Sequence, residues 1–469
     1  MTVSTYSMLI DGEPRDASES FDVLNPATED VAGQAPRCSS ADLETAMVAA
    51  QRAFASWRED EVLRRDVLRK SAGALMAAAD NIAPVLTSEN GRPLPQAVEE
   101  VYAAAAWLSY FADLDAPNEI IQSDDAALVE VVRRPMGVVA AITPWNFPLA
   151  LACWKLGPAL RAGNTVVLKP SPFTPLSTLA MGHVLSEWLP PGVLNVVSGD
   201  DELGSWMTRH PIPRKVTFTG STAAGRKVAA AAVQDLKRIT LELGGNDAAI
   251  VLDDADVALV AERIFAAAFA NCGQVCAAVK RVFVPIGLAD ELIDALAERA
   301  RAVVVGNGLE PETEMGPLST APQYERVQNL LDDAFAHGAT AVAGGGVIDR
   351  PGYFIAPTIL RDITEGARVV DEEQFGPVLP VLVYQDVDEA VNRANSSEYG
   401  LCGSVWSSDP DRAALVAARL ECGTAWVNTH LALGPHQPFG GLKSSGIGVE
   451  NGPWGLASFS ELQVLYRAR

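Results

Sequence analysis

The chain has 469 residues, 48% of them hydrophobic and 20% charged, and a formal net charge of −23. That length exceeds a single core, so two or three domains are expected, with the composition of an ordinary soluble globular protein. The acidic balance disfavours nucleic acid and anionic membrane surfaces as partners.

No run of about 18 apolar residues is present, so no transmembrane helix is expected. The opening MTVSTYSMLIDGEPRD lacks a basic stretch followed by an apolar core, so no secretory signal is expected. The cysteines are Cys38, Cys153, Cys272, Cys276, Cys402 and Cys422. They are sparse, which argues against a disulfide scaffold and for a reducing, cytoplasmic compartment. Cys272 and Cys276 enclose three residues, not the two of a redox pair, and no nearby His or Cys completes a zinc set. Buried filler and nucleophile both stay open for them.

In chain order, residues 40–80 read as helix, with Ser39 and Asp42 as a capping box ahead of Met47, Ala50, Phe54 and Trp57 at helical spacing. Residues 62–82 and 94–113 also read as helical. The Val-rich alternation of 124–137 predicts a strand ending at Arg133-Arg134-Pro135. From 137 the rhythm changes. Strands are predicted at 137–144, 165–171, 193–199, 215–221 and 238–245, with helices at 148–162, 175–188, 201–209 and 222–234 between them. Apolar strands alternating with helices predict a parallel, doubly wound sheet. A second α/β rhythm follows: strand 247–254, helix 256–272, strand 280–285 and helix 287–305, then strands at 340–344, 353–360, 378–384, 403–407 and 424–428. The tail, 457–469, reads as a strand with no partner nearby in sequence, so it is expected to pair across a subunit boundary.

Ligands of open α/β sheets bind beyond the carboxyl ends of the strands. There stand Pro144-Trp145-Asn146-Phe147-Pro148, Lys169-Pro170-Ser171-Pro172, Gly220-Ser221 and Glu242-Leu243-Gly244-Gly245. TGSTAAGRK, 219–227, leads from strand into helix, where free N–H groups suit a phosphate. It lacks the Lys-Ser/Thr of a Walker loop and the three-glycine dinucleotide fingerprint, so an ordinary glycine-bearing turn is the alternative. Lys169 suits a ribose or phosphate, or is a solvated strand-end lysine. Glu242 ends an apolar strand. Burial raises a carboxylate's pKa and suits it to general-base work, although a purely structural role is the alternative.

Four stretches then read together: PWNFP (144–148), LELGG (241–245), GQVCAAVKR (273–281) and EEQFGPV (372–378). With WKLGPAL (154–160), NTVVLKPS (164–171), FTGST (218–222) and PFGGLKSSGIG (438–448), they resemble the aldehyde dehydrogenase superfamily in order and spacing over nearly the whole chain. The resemblance implies an α/β fold with a Rossmann-type doubly wound cofactor domain (1–122 and 138–243), an α/β catalytic domain (244–440) and small β oligomerisation segments (123–137 and 455–469). It implies NAD(P)-dependent oxidation of an aldehyde to a carboxylic acid. Cys276 matches the nucleophile and Cys272 matches packing. Asn146 matches the oxyanion donor and Glu242 the base that activates water for thioester hydrolysis. Lys155 matches a relay lysine. Cofactor contacts fall on Trp145, Lys169, Ser171, Gly220, Ser221, Leu243, Glu373 and Phe375.

Two positions depart from the family pattern. Pro172 stands where many NAD-preferring members carry Glu. NAD is still the expected cofactor, with NADP possible, because no Arg is evident to grip an extra phosphate. Pro453 stands at the position matched to the relay glutamate, so a relay from Lys155 is expected to be absent. The resemblance places Phe147, Trp154, Phe269, Val275, Ala277 and Phe439 in the substrate pocket. These are apolar, with no Arg among them, which favours an uncharged aliphatic or aromatic aldehyde. His430 and His436 are candidates for its polar end. A homodimer or homotetramer is implied, with no nucleic-acid or membrane partner. The alternatives are a coenzyme-A-acylating semialdehyde dehydrogenase, disfavoured by Glu242, and a cofactor-independent cysteine esterase or hydrolase. A non-catalytic binding protein is the third.

Overall fold

The computed structural model describes residues 4–469; the first three residues of the 1–122 segment lie outside the described residues. The five apolar segments form the parallel strands Val138–Ile142, Thr165–Lys169, Leu194–Val196, Lys215–Thr219 and Arg238–Glu242. In space they run third, second, first, fourth, fifth. The antiparallel pair Met8–Ile10 and Glu13–Arg15 extends one edge, and Gly446–Ile447 closes the other. Helices cover both faces, which is why the first four strands are buried at every residue and need no polar alternation. The order reverses between the first and fourth strands, and a crevice opens beyond the carboxyl ends at such a reversal.

The helix Ser40–Trp57 begins at the predicted capping box: Ser39 Oγ accepts from Asp42 N, and Asp42 accepts from Ser39 N. The predicted helix 40–80 is interrupted at Arg58–Asp60, where Asp60 caps a second helix, Glu61–Ala77. The helix Leu94–Asp113 packs along Pro148–Arg161, the helix that follows the first strand.

The second sheet has seven strands in the order Thr340–Ala343, Thr358–Arg361, Val378–Tyr384, Val279–Pro285, Asp247–Val251, Cys402–Trp406 and Thr424–Val427. All neighbours are parallel except the first pair. The predicted strand 353–360 shrinks to Thr358–Arg361, because Pro357 has no N–H for the ladder and pairing starts only at Thr358. The predicted helix 256–272 ends at Phe269; Asn271 (φ 48°) and Cys272 (φ 59°) are left-handed and cannot continue it.

The tail strand Ser460–Ala468 is antiparallel to Ala127–Pro135 of the same chain, in continuous register from Ser460 opposite Pro135 to Ala468 opposite Ala127. The partner it lacks nearby in sequence is thus supplied by a remote segment of its own chain. With Glu119–Ser123 the two make a separate three-stranded sheet.

Candidate active site

The Cys276 loop, 270–278, lies between the helix Val257–Phe269 and the strand Val279–Pro285. Three successive residues, Asn271, Cys272 and Gly273, have positive φ. A Cβ on Gly273 would sit 2.2 Å from the Gly376 carbonyl oxygen, so only glycine fits there. The turn is held by amides. Gln274 Nε2 donates to Asn271 O at 2.9 Å, and Gln274 Oε1 accepts from Ser319 N at 2.8 Å. Cys272 is buried in the core of the second sheet, so packing is its role here. Cys276 reaches a cavity of about 670 Å³. Burial pushes its thiol up to about 12, opposed by nearby Lys280.

Asn146 follows the first strand of the first sheet, and its Nδ2 donates to Gln274 O at 2.9 Å. An amide nitrogen carries two hydrogens, so the second is free to meet an oxyanion in the cavity that Asn146 lines with Cys276. Asn146 is itself clamped: its backbone oxygen accepts from Asn271 Nδ2 at 3.1 Å and from Arg92. The Arg92 guanidinium also stacks on the Phe147 ring, 4.4 Å from its centroid. Arg92 is ion-paired with buried Glu100, whose other oxygen caps the helix Pro148–Arg161 by accepting from Leu149 N and Ala150 N.

Glu242 ends the fifth strand and lines the same cavity. Both its oxygens are buried without a hydrogen-bond partner. Burial, reinforced by Glu450 and opposed by Lys155, raises its carboxyl well above the ordinary range. A buried carboxylate left unbonded is costly, and such groups concentrate where a substrate or water completes the site.

The expectation that Lys155 lacks a glutamate is wrong. Lys155, fully buried, donates to Glu450 Oε1 at 2.6 Å and to Thr219 Oγ1 at 2.7 Å. The carboxylate comes from three residues before Pro453. Phe439 and Glu450 exchange backbone hydrogen bonds, which turn Glu450 inward, while Pro453 opens the short helix Gly452–Ala457. Spacing along a loop could not show this; only the bridge to Phe439 does.

All six predicted pocket residues, Phe147, Trp154, Phe269, Val275, Ala277 and Phe439, line the cavity. Trp107, unforeseen, stacks on Trp154 at 5.3 Å and donates its Nε1–H to Asn451 Oδ1 at 2.9 Å. Beyond those six, Arg92 also reaches the wall, but Glu100 neutralises it. The histidine candidates fail. His436 is exposed outside the lining. His430 is buried with Nε2 at 2.8 Å from Ala277 O and Nδ1 at 2.9 Å from Ser404 Oγ. A carbonyl only accepts, so Nε2 carries the proton and Ser404 donates to Nδ1. Burial pulls this ring down to about 3.

The predicted cofactor residues gather at the strand ends of the first sheet and on one loop facing them. Lys169 is buried, and its ammonium donates only to Pro170 O at 3.3 Å. Burial lowers it to about 8, against the carboxylates of Asp201 and Asp200. Ser171 Oγ accepts from Phe173 N at 3.3 Å. Gly220 donates its N–H to Glu242 O, and Ser221 caps the helix Thr222–Val233. Leu243 packs against Gly225, where a Cβ would lie 2.4 Å away. Glu373 Oε1 accepts from Gly245 N at 3.0 Å, and a Cβ on Gly244 would overlap the Glu373 carboxylate at 2.4 Å. Phe375 stands edge-on to Trp145 at 5.3 Å. The spare donors of Lys169 and the remaining N–H groups in the first turn of the helix Thr222–Val233 fit a dinucleotide carrying phosphate and ribose groups.

A thiol, an amide donor and an unbonded carboxylate meet on one cavity where two α/β sheets abut, a set whose chemistry suits an oxidoreductase acting on aldehydes. The sequence pattern described as the aldehyde dehydrogenase family matches residues 14–465. An aldehyde dehydrogenase from Fusarium sp is 37% identical, with 99% of each chain covered. A geranial dehydrogenase from Castellaniella defragrans is 38% identical, again over 99% of each. The NAD+ complex of an aldehyde dehydrogenase from Bacillus cereus superposes with a TM-score of 0.97 at 36% identity, covering 99% of this chain and 97% of that one. The chain belongs to the aldehyde dehydrogenase family.

The neutral, buried His430 links stability to pH. Its pKa is depressed in the folded state, so its contribution is complete above the unfolded value near 6.5 and is lost as pH falls toward about 3. Urea midpoints measured from pH 7 to pH 4 are expected to fall more steeply for the wild type than for His430→Gln.

Proposed function

We propose that the protein oxidises an uncharged aliphatic or aromatic aldehyde to its carboxylic acid, with NAD as acceptor, through a thioester on Cys276. The observation that carries this reading is the convergence of Cys276, the free Asn146 N–H and the unbonded Glu242 on one apolar cavity.

Cys276 Sγ adds to the aldehyde carbon, and its proton passes to Glu242 or to water. The carbonyl oxygen becomes an oxyanion, which Asn146 Nδ2 meets with its second hydrogen. Bound NAD supplies the acceptor for the hydride that leaves the carbon, with Lys169, Gly220, Ser221 and Glu373 among the residues that would hold it. Glu242, ionised, then takes a proton from water as it attacks the thioester, and Cys276 is released with the acid. Glu450 and Lys155 stand behind Glu242 as the route by which that proton leaves.

Substrate charge follows from the walls. The lining is aromatic and aliphatic, Arg92 is neutralised by Glu100, and Glu99 and Glu314 are exposed where they border the cavity. Carboxylates there repel an aldehyde that carries its own carboxylate. Asp200 and Asp201 near Lys169 likewise disfavour the extra phosphate of NADP, and Arg37 is already paired with Asp200.

No helix among the described residues is long and apolar enough to cross a membrane. The six cysteines are all free, which supports a reducing, cytoplasmic location. The domain assignment is 1–122 with 138–243 for cofactor binding and 244–440 for catalysis. The sheet formed by Glu119–Ser123, Ala127–Pro135 and Ser460–Ala468 is assigned to self-association as a dimer or tetramer, since Ile120, Ile121, Leu462, Val464 and Tyr466 are all more than half exposed on it.

The test is reduced-nicotinamide formation with NAD or NADP and a panel of neutral and carboxylated aldehydes. Turnover with neutral aldehydes, abolished in Cys276→Ala, is expected; no turnover on any aldehyde overturns the reading. Glu242→Gln is expected to keep a first-turnover burst but to lose roughly 10²-fold or more in steady state. Because Glu242 must ionise from a raised pKa, turnover should fall with decreasing pH at an inflection well above 4.5. Leu462→Asp with Val464→Asp should lower the mass measured by light scattering; an unchanged oligomer removes that sheet from the interface.

A further inference from the structure

Lys280 has no part in the reading above, yet it is the cation nearest the nucleophile's loop. It lies in the strand Val279–Pro285, where the neighbouring Arg281 turns the other way to bond Asn246 O and Ala394 O. Lys280 is buried, and its Nζ donates to Val275 O at 2.7 Å and to Cys276 O at 2.8 Å. Glu373 Oε1 stands 3.7 Å away on the remaining side. Three oxygens surround Nζ, which suits the three hydrogens of an ammonium. The charged groups that act most strongly on Cys276 are Lys280, Glu373, Asp247 and Glu242. Cys402 also faces it and is neutral as a thiol. Among these, the three carboxylates oppose a thiolate and Lys280 alone favours it.

We propose that Lys280 is the positioning residue that activates Cys276: its ammonium, tied to the carbonyls of the nucleophile's own loop, stabilises the thiolate among three carboxylates. Burial makes the thiolate costly, and a positive charge fixed inside a low-dielectric site offsets that cost more strongly than it would in water. The backbone tether keeps the charge at constant distance from the sulfur while the loop carries substrate. Glu373 shares the same ammonium, so the carboxylate assigned to the cofactor side also tempers the nucleophile. This inference rests on Cys276 being the reactive thiol, but not on the substrate or the cofactor.

The test needs neither. Alkylation of Cys276 by iodoacetamide in the cofactor-free enzyme is followed as a second-order rate from pH 6 to pH 10, where the rate reports the thiolate fraction and hence the apparent pKa, with the modified peptide identified by mass spectrometry. Lys280→Gln removes the charge but leaves an amide that can still bond a carbonyl. It is expected to raise the apparent pKa of alkylation by about one unit or more, and so to slow the reaction roughly tenfold below that pKa. Lys280→Arg should restore most of the rate. A Lys280→Gln profile that overlays the wild type reduces Lys280 to a tether and overturns the proposal. Should Lys280→Gln fail to fold, Glu373→Gln carries the test: with Lys280 freed of its counter-charge, the alkylation pKa must fall, and an unchanged or higher value overturns the proposal. A Cys276 that does not react at any pH in the wild type would instead strike at the proposed function itself.

Discussion

Two asparagine amides, exchanged across the junction of the two sheets, hold the site together. Asn146, from the first sheet, donates to Gln274 O, and Asn271, from the second, donates to Asn146 O. Each bond is ordinary in length, but both are buried, where a lost partner costs more than the bond itself contributes. Asn146 and the Cys276 loop are therefore registered against each other by the same pair of residues. Arg92, Glu100 and Phe147 extend the clamp into the helix Pro148–Arg161.

That clamp is what permits strain in the Cys276 loop. Asn271 and Cys272 are left-handed, a conformation that costs a non-glycine residue roughly 1–2 kcal/mol. The backbone doubles back tightly enough that Gly273 meets Gly376 with no room for a side chain. The result aims Cys276 into the cavity and leaves Cys272 in the core, although the two lie only four positions apart.

Buried charge is the second theme. Lys155 with Glu450 and Arg92 with Glu100 are charge pairs withdrawn from water beside one apolar cavity, and Lys280 faces Glu373 behind the Cys276 loop. Such pairs contribute little net stability, since desolvation offsets much of their attraction. What they provide is a fixed electrostatic field in a medium that does not screen it. Glu242 stands in that field with no hydrogen bond of its own; burial is the first cause of its raised pKa, with Glu450 adding to it and Lys155 opposing it.

The sequence by itself determined the parallel strands, because a strand buried on both faces is mostly apolar rather than alternating, and that run is visible in the sequence. It determined the helix start at Ser39, because a capping box is local, and it singled out Cys276, Asn146 and Glu242, because their motifs are short and ordered. Only the tertiary structure decided where the helix after Asp256 stops, since Asn271 and Cys272 are left-handed by virtue of contacts from Asn146, Gln274 and Ser319. It alone gave the tail strand its partner, placed Glu450 rather than the residue at 453 against Lys155, turned His430 away from the cavity, and brought Lys280 Nζ to the carbonyls of Val275 and Cys276. Each of these depends on contacts between segments that are distant along the chain, and neither periodicity nor spacing carries information about them.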